Sequence, residues 1–315
     1  MFALICALSL ISEVGSLGFG GWGSSHYDMV PHGPPMVGTK FLWDGLRVKL
    51  AMNQTFDPLT LARLPRRSDE AMQQGYRMKD SSCAASQTNF RGYRYWRNND
   101  PAVMLLFDAH GIIAGIQSGL RKLVLRPPIR QMGHPYLDDG EFWTLTAYFM
   151  NPDVICSPGR SNYDLRGQGT GFGLFIQNGS QPQVTPIMND VIHAPQLEFS
   201  APDSNWVQGN CVRGMGTHYW YRAWPGLPCD QFFPVFLLYS YGQLIGFGWA
   251  IPGDVAWTSP WFEPTTGAGL GSFMPNTTLP GCIQFSSLFK QMSTLHIFLI
   301  DDPLRQANCW SRYFW

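Results

Sequence analysis

The sequence predicts a mainly β protein, built from antiparallel strands in a sandwich- or barrel-like arrangement with little helix. Its 315 residues include 33 Gly and 24 Pro, which divide the chain into short apolar and aromatic runs. Hydrophobic residues make up 45% of the chain, so a sizeable core can form. Strands do not alternate with long helical segments, which argues against a parallel doubly wound sheet.

Ten apolar or aromatic runs that end in turn residues predict strands. They are Leu46–Met52, Val103–Phe107, Ile112–Ile116, Leu123–Leu125, Phe142–Met150, Phe172–Gln177, His218–Trp224, Val235–Tyr239, Leu244–Trp249 and Leu295–Ile300. Helical composition is best in residues 59–78, where Pro65 interrupts the pattern. We therefore expect strands to dominate the chain.

Two stretches of the chain resemble each other, and each has the pattern of a β-hairpin. Val103–Gln117 and Val235–Trp249 both run through an apolar segment, a Gly-containing turn and a second apolar segment. A cysteine and an aromatic block precede each hairpin, and a Thr-Leu strand, an Asp/Asn-Pro turn and a cysteine follow it. Collinear matches of this kind indicate an internal duplication, with coincidence among Gly-rich aromatic strands as the alternative.

The duplication predicts how the chain divides and how its cysteines pair. The first β-rich unit is expected at residues 19–160, and the second at residues 161–315 with an insertion around 252–293. Cysteines that bracket the two units should pair equivalently, and the two that remain should pair with each other. The predicted bridges are Cys83–Cys156, Cys211–Cys309 and Cys229–Cys282.

Residues 1–18 predict a secretory signal peptide, because small residues follow an apolar run from Phe2 to Ile11. No Lys or Arg precedes that run, and a buried N-terminal strand is the alternative. The six cysteines outside this segment are an even number, as is typical of disulfide-bonded secreted proteins. Three N-x-[ST] sequons predict glycosylation at Asn53, Asn178 and Asn276. We therefore expect a secreted, extracellular glycoprotein.

Charge and hydropathy argue against two classes of partner. Lys+Arg and Asp+Glu balance at 22 each, whereas nucleic-acid binding needs clustered positive charge. The longest later stretch without a charge runs from Gln231 to Gly253, and its turn residues are typical of a hairpin rather than a membrane-spanning helix. We expect no nucleic-acid partner and no transmembrane segment.

No sequence motif assigns a cofactor or a reaction. The chain lacks H-E-x-x-H, C-x-x-C and G-x-S-x-G. The Gly-rich stretch Arg166–Gly173 precedes a β-like run, so it does not predict a phosphate-binding loop. We expect no bound organic cofactor and no metal, with a copper or other metal site at His26 and His32 as a minor alternative.

Two aromatic blocks, "GYRYW" and "GTHYW", are the candidate ligand-binding segments. They interleave rings with Arg and His, a mixture that suits ring stacking combined with hydrogen bonding. Alternation along a strand would place part of each block in the core, which is the structural alternative. The candidate ligand-binding residues are Tyr93, Arg94, Tyr95, Trp96, His218, Tyr219, Trp220 and Tyr221.

The sequence is compatible with three functions. The leading hypothesis is a secreted protein that binds an extracellular ligand, namely a glycan, a matrix polymer or an aromatic small molecule. The alternative is a secreted enzyme, either a hydrolase or an oxygenase or luciferase-type oxidoreductase without a bound organic cofactor. Its candidate catalytic residues are His218 and His110, because a histidine can serve as a base near neutral pH. A structural matrix component is the third hypothesis.

Overall fold

Antiparallel pairing organises most of the strands into two large sheets. The structure is a computed structural model that describes residues 36–37, 40–41, 43–50, 60–83, 89–122, 135–180, 186–285 and 289–309. The predicted signal peptide, the sequon at Asn53, the predicted strand Leu123–Leu125, and His26 and His32 lie outside the described residues.

The described part of the chain contains eighteen strands and four short α-helices. The strands are β1 (Met36–Val37), β2 (Lys40–Phe41), β3 (Arg47–Lys49), β4 (Leu61–Arg63), β5 (Tyr76–Asp80), β6 (Tyr93–Arg97), β7 (Asp100–Phe107), β8 (Ile113–Arg121), β9 (Leu137–Asp139), β10 (Phe142–Tyr148), β11 (Leu174–Gln177), β12 (Val191–Ala194), β13 (Trp206–Val212), β14 (Gly216–Tyr221), β15 (Val235–Ser240), β16 (Gln243–Pro252), β17 (Glu263–Thr265) and β18 (Met292–Phe298). The helices are α1 (Ser68–Gln73), α2 (Leu165–Gln168), α3 (Gly281–Phe285) and α4 (Pro303–Gln306).

The two sheets have the same arrangement: seven strands follow one path, and an eighth pairs with the fifth strand of that path. The first runs β5-β6-β7-β8-β10-β11-β12, with β9 beside β10. The second runs β13-β14-β15-β16-β18-β3-β4, with β17 beside β18. All of these pairings are antiparallel, which confirms the predicted fold class.

The sheets exchange strands across the boundary that the sequence predicts at residue 160. Strands β3 and β4 precede every strand of the first sheet, yet they complete the second sheet. Strands β11 and β12 lie after residue 160, yet they complete the first sheet. Neither sheet therefore coincides with one predicted unit. The duplication itself stays a prediction.

The predicted helical segment contains a strand and a helix. Residues Leu61–Arg63 form β4, and α1 begins only at Ser68. Pro65 lies between them, and its missing N–H cannot contribute to a continuous helix. The helix that the composition of this segment favours therefore forms only after the proline.

The inner faces of the two sheets share a hydrophobic core, which gives a sandwich-like architecture. Leu105 and Ile116 are cross-strand partners on the first sheet, as Leu237 and Phe247 are on the second. All four are fully buried. The ring of Phe149 lies 6.3 Å from that of Phe247 and joins the two layers. Burial of each such side chain stabilises the fold by about 1.5–3 kcal/mol.

Two of the three predicted disulfides are present, Cys83–Cys156 and Cys211–Cys309, with Cα–Cα distances of 5.5 and 5.6 Å. In the structure Cys229 and Cys282 are free thiols, so the third predicted bridge stays a prediction. The two thiols interact nonetheless, and burial together with Cys229 raises the pKa of Cys282 to about 12. The structure therefore contains this pair as neighbouring thiols rather than as a bond.

Among the described residues, no helix has the length and apolar character that a bilayer span requires. The uncharged stretch from Gln231 to Gly253 contains the β15–β16 hairpin, as its turn residues predict.

Candidate functional site

The outer face of the second sheet, which points away from the first sheet, carries four contacting rings. Tyr219 pairs with Leu237, which shares the inner face with Phe247, so its neighbours His218 and Trp220 point outward. Phe236 of β15 and His296 of β18 lie on the same outer face. The Phe236 ring lies 5.3 Å from His218 and 4.8 Å from His296, and the two imidazoles are 5.9 Å apart.

Residues 253–285, the covering segment, close over this face. The Phe273 ring lies 4.8 Å from His218 and 6.3 Å from His296. The Phe273 carbonyl accepts a hydrogen bond of 2.8 Å from the Asn210 backbone N–H. Gly209 permits this approach, because a Cβ there would lie 2.2 Å from the same carbonyl oxygen. The covering segment therefore supplies an aromatic residue that lies close to both imidazoles.

A buried carboxylate connects His296 to a buried lysine. Glu263 of β17 lies with Oε1 at 2.6 Å from His296 Nδ1, and its Oε2 forms an ion pair with Lys49. Lys49 is 2% exposed and His296 is 1% exposed, so the three groups are largely withdrawn from water. Burial alone would raise the pKa of the Glu263 carboxyl, but His296 and Lys49 outweigh that effect and hold the pKa below its ordinary value.

His218 is completely buried, and neither of its ring nitrogens has a hydrogen-bond partner. Backbone groups of Asn210 and Gly216 lie near the ring and favour its charged form slightly, but no well-formed hydrogen bond results. Burial, reinforced by the nearby His296, lowers the pKa of His218 from 6.5 to about 3. The ring is therefore neutral at physiological pH.

These residues form what we call the histidine site, which consists of His218, His296, Glu263, Lys49, Phe236 and Phe273. It contains three imidazole nitrogens without partners: both of His218 and Nε2 of His296. Buried polar groups are normally paired, so three unpartnered nitrogens in one cluster need an explanation. The site can accept or donate hydrogen bonds between aromatic walls.

The matching residue of the first sheet, Arg94, lies in a paired network. Its guanidinium donates to Asp80 at 2.6 Å, to Gln117 at 2.6 Å, and to Asp139. The Gln117 amide in turn donates to Thr146 at 2.9 Å. We call these five residues the Arg94 cluster. The guanidinium is thus paired within the protein, and the ligand-binding role that the sequence suggests for Arg94 stays a prediction.

The predicted ligand-binding residues do not converge on one surface, because half of them belong to each sheet. Tyr95 and Tyr219 are buried in the shared core, and the Tyr219 hydroxyl donates to Glu198 at 3.0 Å. Tyr93, Trp96 and Tyr221 are partly buried within their own sheets. His218 and Trp220 alone meet at the candidate site, where their rings stack 6.4 Å apart.

The other candidate base, His110, lies in an exposed turn, where its Nε2 is 2.9 Å from the Pro158 carbonyl oxygen. Of the six members of the histidine site, the sequence alone points only to His218, and not to His296, Glu263, Lys49, Phe236 or Phe273. His296 could have been found from its position in the alternating strand Met292–Phe298, one residue before the core residue Ile297. Lys49 and Glu263 carry no comparable local signal, because only the tertiary fold brings them to His296.

Of the two sequons within the described residues, Asn276 is exposed and Asn178 is partly exposed. The Asn178 side-chain amide donates to the Ser180 hydroxyl at 2.7 Å. Glycosylation at either position stays a prediction.

No protein-family model, no curated protein and no solved structure matches this chain. Among the described residues, no group of three or more His, Cys, Asp and Glu side chains is arranged to hold a metal ion. The function must therefore be argued from the histidine site itself.

Proposed function

We propose that the chain is a secreted protein that binds a small aromatic molecule at the histidine site. The observation that carries this proposal is the cluster of three buried imidazole nitrogens without partners, on His218 and His296. Each buried polar group without a partner destabilises the folded protein by about 1–3 kcal/mol. A ligand that hydrogen-bonds to them recovers this stabilisation, which gives binding both affinity and orientation.

The chemistry of the walls defines the ligand. The aromatic rings of Phe236 and Phe273 favour a flat, apolar ring, and the imidazole nitrogens favour a hydroxyl or N–H substituent on it. Phe273 already fills a position that contacts both imidazoles. The bound ligand would therefore take the place of the Phe273 ring as that side chain swings aside.

This enclosed position favours a small molecule over the other ligands that the sequence leaves open. A glycan chain or matrix polymer needs an open groove or flat surface, whereas His218 and His296 are almost fully buried. The two disulfides support secretion, because such bonds persist mainly in oxidising compartments.

Nitrogen-15 NMR of the imidazole rings during a phenol titration tests the proposal. Phenol should shift the ring nitrogens of His218 and His296, because its hydroxyl supplies the missing partner. Toluene has the same ring without the hydroxyl and should bind more weakly. The ring of exposed His110 serves as the internal control and should not respond.

His218→Phe should weaken phenol binding, while the matched variant His110→Phe should bind phenol as the unmodified chain does. The proposal fails if phenol leaves the nitrogens of His218 and His296 unchanged at millimolar concentration.

A further inference from the structure

We infer that His296 is a general base that removes a proton from an aromatic carbon or oxygen acid bound at the histidine site. This inference rests on the proposed binding function and adds an activity to it. It follows from the way in which Glu263 fixes one nitrogen of His296 and leaves the other free.

The contact with Glu263 determines the tautomer of His296. An ionised carboxylate can only accept a hydrogen bond, so Nδ1 must donate across the 2.6 Å that separates it from Glu263 Oε1. In the neutral ring, Nε2 then carries the free lone pair. This nitrogen is buried and has no partner, so its basic electron pair is available to a bound molecule.

Lys49 keeps the carboxylate in its ionised form. Its ammonium group pairs with Glu263 Oε2, opposite the oxygen that contacts His296. Glu263 is thus a positioning residue, since it orients the imidazole and stabilises the positive charge that develops when Nε2 takes a proton.

His218 completes the arrangement from β14. Its ring is 5.9 Å from that of His296 and is neutral, so it adds no charge that would oppose protonation of the base. A neutral imidazole also carries one N–H, which can donate to the anion left after proton removal. The aromatic walls keep water away and strengthen both interactions.

The probe 5-nitro-1,2-benzisoxazole matches this chemistry, because it is a flat aromatic carbon acid. Nε2 of His296 takes the proton from C3, and the electrons of the broken C–H bond form the third bond of a nitrile. The ring N–O bond breaks, its electron pair stays on oxygen, and 2-cyano-4-nitrophenolate leaves. The imidazolium returns its proton to water, so no oxidant, reductant or metal is consumed.

Phenolate absorbance measures the turnover of this probe by the full chain. We expect the chain to be at least about 100-fold faster than free imidazole at equal concentration. His296→Phe should abolish this advantage. Glu263→Gln should lower kcat by about 10-fold and move the acid limb of the pH–rate profile to lower pH, because the imidazolium loses its carboxylate partner.

Two variants control for access and folding. Phe273→Ala should raise kcat/KM, because it opens the position above both imidazoles. Phe149→Ala makes a cavity of similar size between the sheets, on the face of the second sheet opposite the histidine site, and should not change turnover. Thermal unfolding of each variant verifies that it is folded.

The outcomes separate the activity from binding. Phenol could bind while the probe reacts no faster than with free imidazole, in both the unmodified chain and Phe273→Ala. In that case His296 is not a general base, and the binding function stands. If phenol does not bind, both proposals fail. Wild-type turnover by folded His296→Phe also overturns the role of His296.

Discussion

The outer faces of the two sheets carry buried polar clusters at matching positions, but their hydrogen bonding differs. Arg94 and His218 occupy equivalent places, since their cross-strand partners are Leu106 and Leu238 in strands of the same rank. Among the described residues, the Arg94 cluster has no buried side-chain nitrogen or oxygen without a partner, whereas the histidine site has three.

This difference separates a stabilising network from a candidate binding site. A fully paired buried network rigidifies the fold, and losing one member is costly. An incompletely paired cluster lowers stability, so its presence calls for a compensating role in binding or catalysis. The same sheet position therefore supports structure in one layer and, we propose, function in the other.

Removing Arg94 should give the largest loss of stability. Arg94→Met leaves Asp80 and Asp139 without their shared cation. Water cannot fully replace it, because the two side chains are only 27% and 23% exposed. We expect a loss of about 3–5 kcal/mol, the range for breaking a buried ion pair from one side. Urea unfolding measures it.

The matched control is Arg121→Met in the same sheet. Arg121 and Glu141 are 3.8 Å apart and largely exposed, so their loss should cost less than about 1 kcal/mol. Equal effects of the two variants would show that the Arg94 cluster is no more stabilising than a surface pair.

The free thiols of Cys229 and Cys282 should form a disulfide in solution. Cys282 belongs to the covering segment, and Cys229 is its unbonded neighbour in the structure. Disulfide formation needs a thiolate, and the raised pKa of Cys282 makes its thiolate scarce once the protein has folded. We therefore expect the two cysteines to pair during folding, before Cys282 is buried.

Peptide mapping without reduction should recover the Cys229–Cys282 peptide. Replacing both cysteines by serine should then lower stability by about 2–4 kcal/mol. Recovery of a Cys83–Cys211 peptide instead would contradict the pairing scheme as a whole.

Removing the imidazole of His218 should raise the stability of the fold, whereas removing Arg94 should lower it. His218→Phe keeps an aromatic ring in the same space and eliminates two unpartnered nitrogens. We expect a gain of about 1–3 kcal/mol in the free energy of unfolding, together with weaker phenol binding. His110→Phe, in an exposed turn, should change neither quantity. A loss of stability in His218→Phe would mean that His218 is paired in solution and that the comparison between the sheets is wrong.

The sequence predicts the centre of each sheet better than its edges. Apolar runs place β7, β8, β15, β16 and β18 because these strands are buried on both faces. Strands such as β5 and β12, which lie at the edges of the first sheet, mix polar and apolar residues and have no clear period. Their pairing partners, which are distant in sequence, decide their conformation.

The candidate site could be predicted only in part for the same reason. The aromatic block that contains His218 and Trp220 is visible in the sequence, because both residues belong to one strand. Its partners come from β3, β17 and β18, and the exchange of β3 into the second sheet is what brings Lys49 to Glu263. No local pattern encodes that exchange.

Stability should depend on pH between pH 6.5 and 4.5, because His218 is buried and its pKa is lowered. In this range unfolded His218 binds a proton, but the folded ring does not, because burial lowers its pKa to about 3. The unfolded state therefore binds more protons, and stability must fall as pH decreases, by up to about 1.4 kcal/mol per pH unit for one such group.

Urea unfolding at several pH values in this range should show that His218→Phe removes this slope. His193, at the edge of the first sheet, is the matched control, because its pKa is also lowered by burial while its side chain remains exposed to water. Water screens the cost of charging it, so His193→Phe should flatten the slope much less. Equal slopes in His218→Phe and the unmodified chain would show that His218 takes up its proton over the same pH range when folded as when unfolded, which would contradict its burial without a partner.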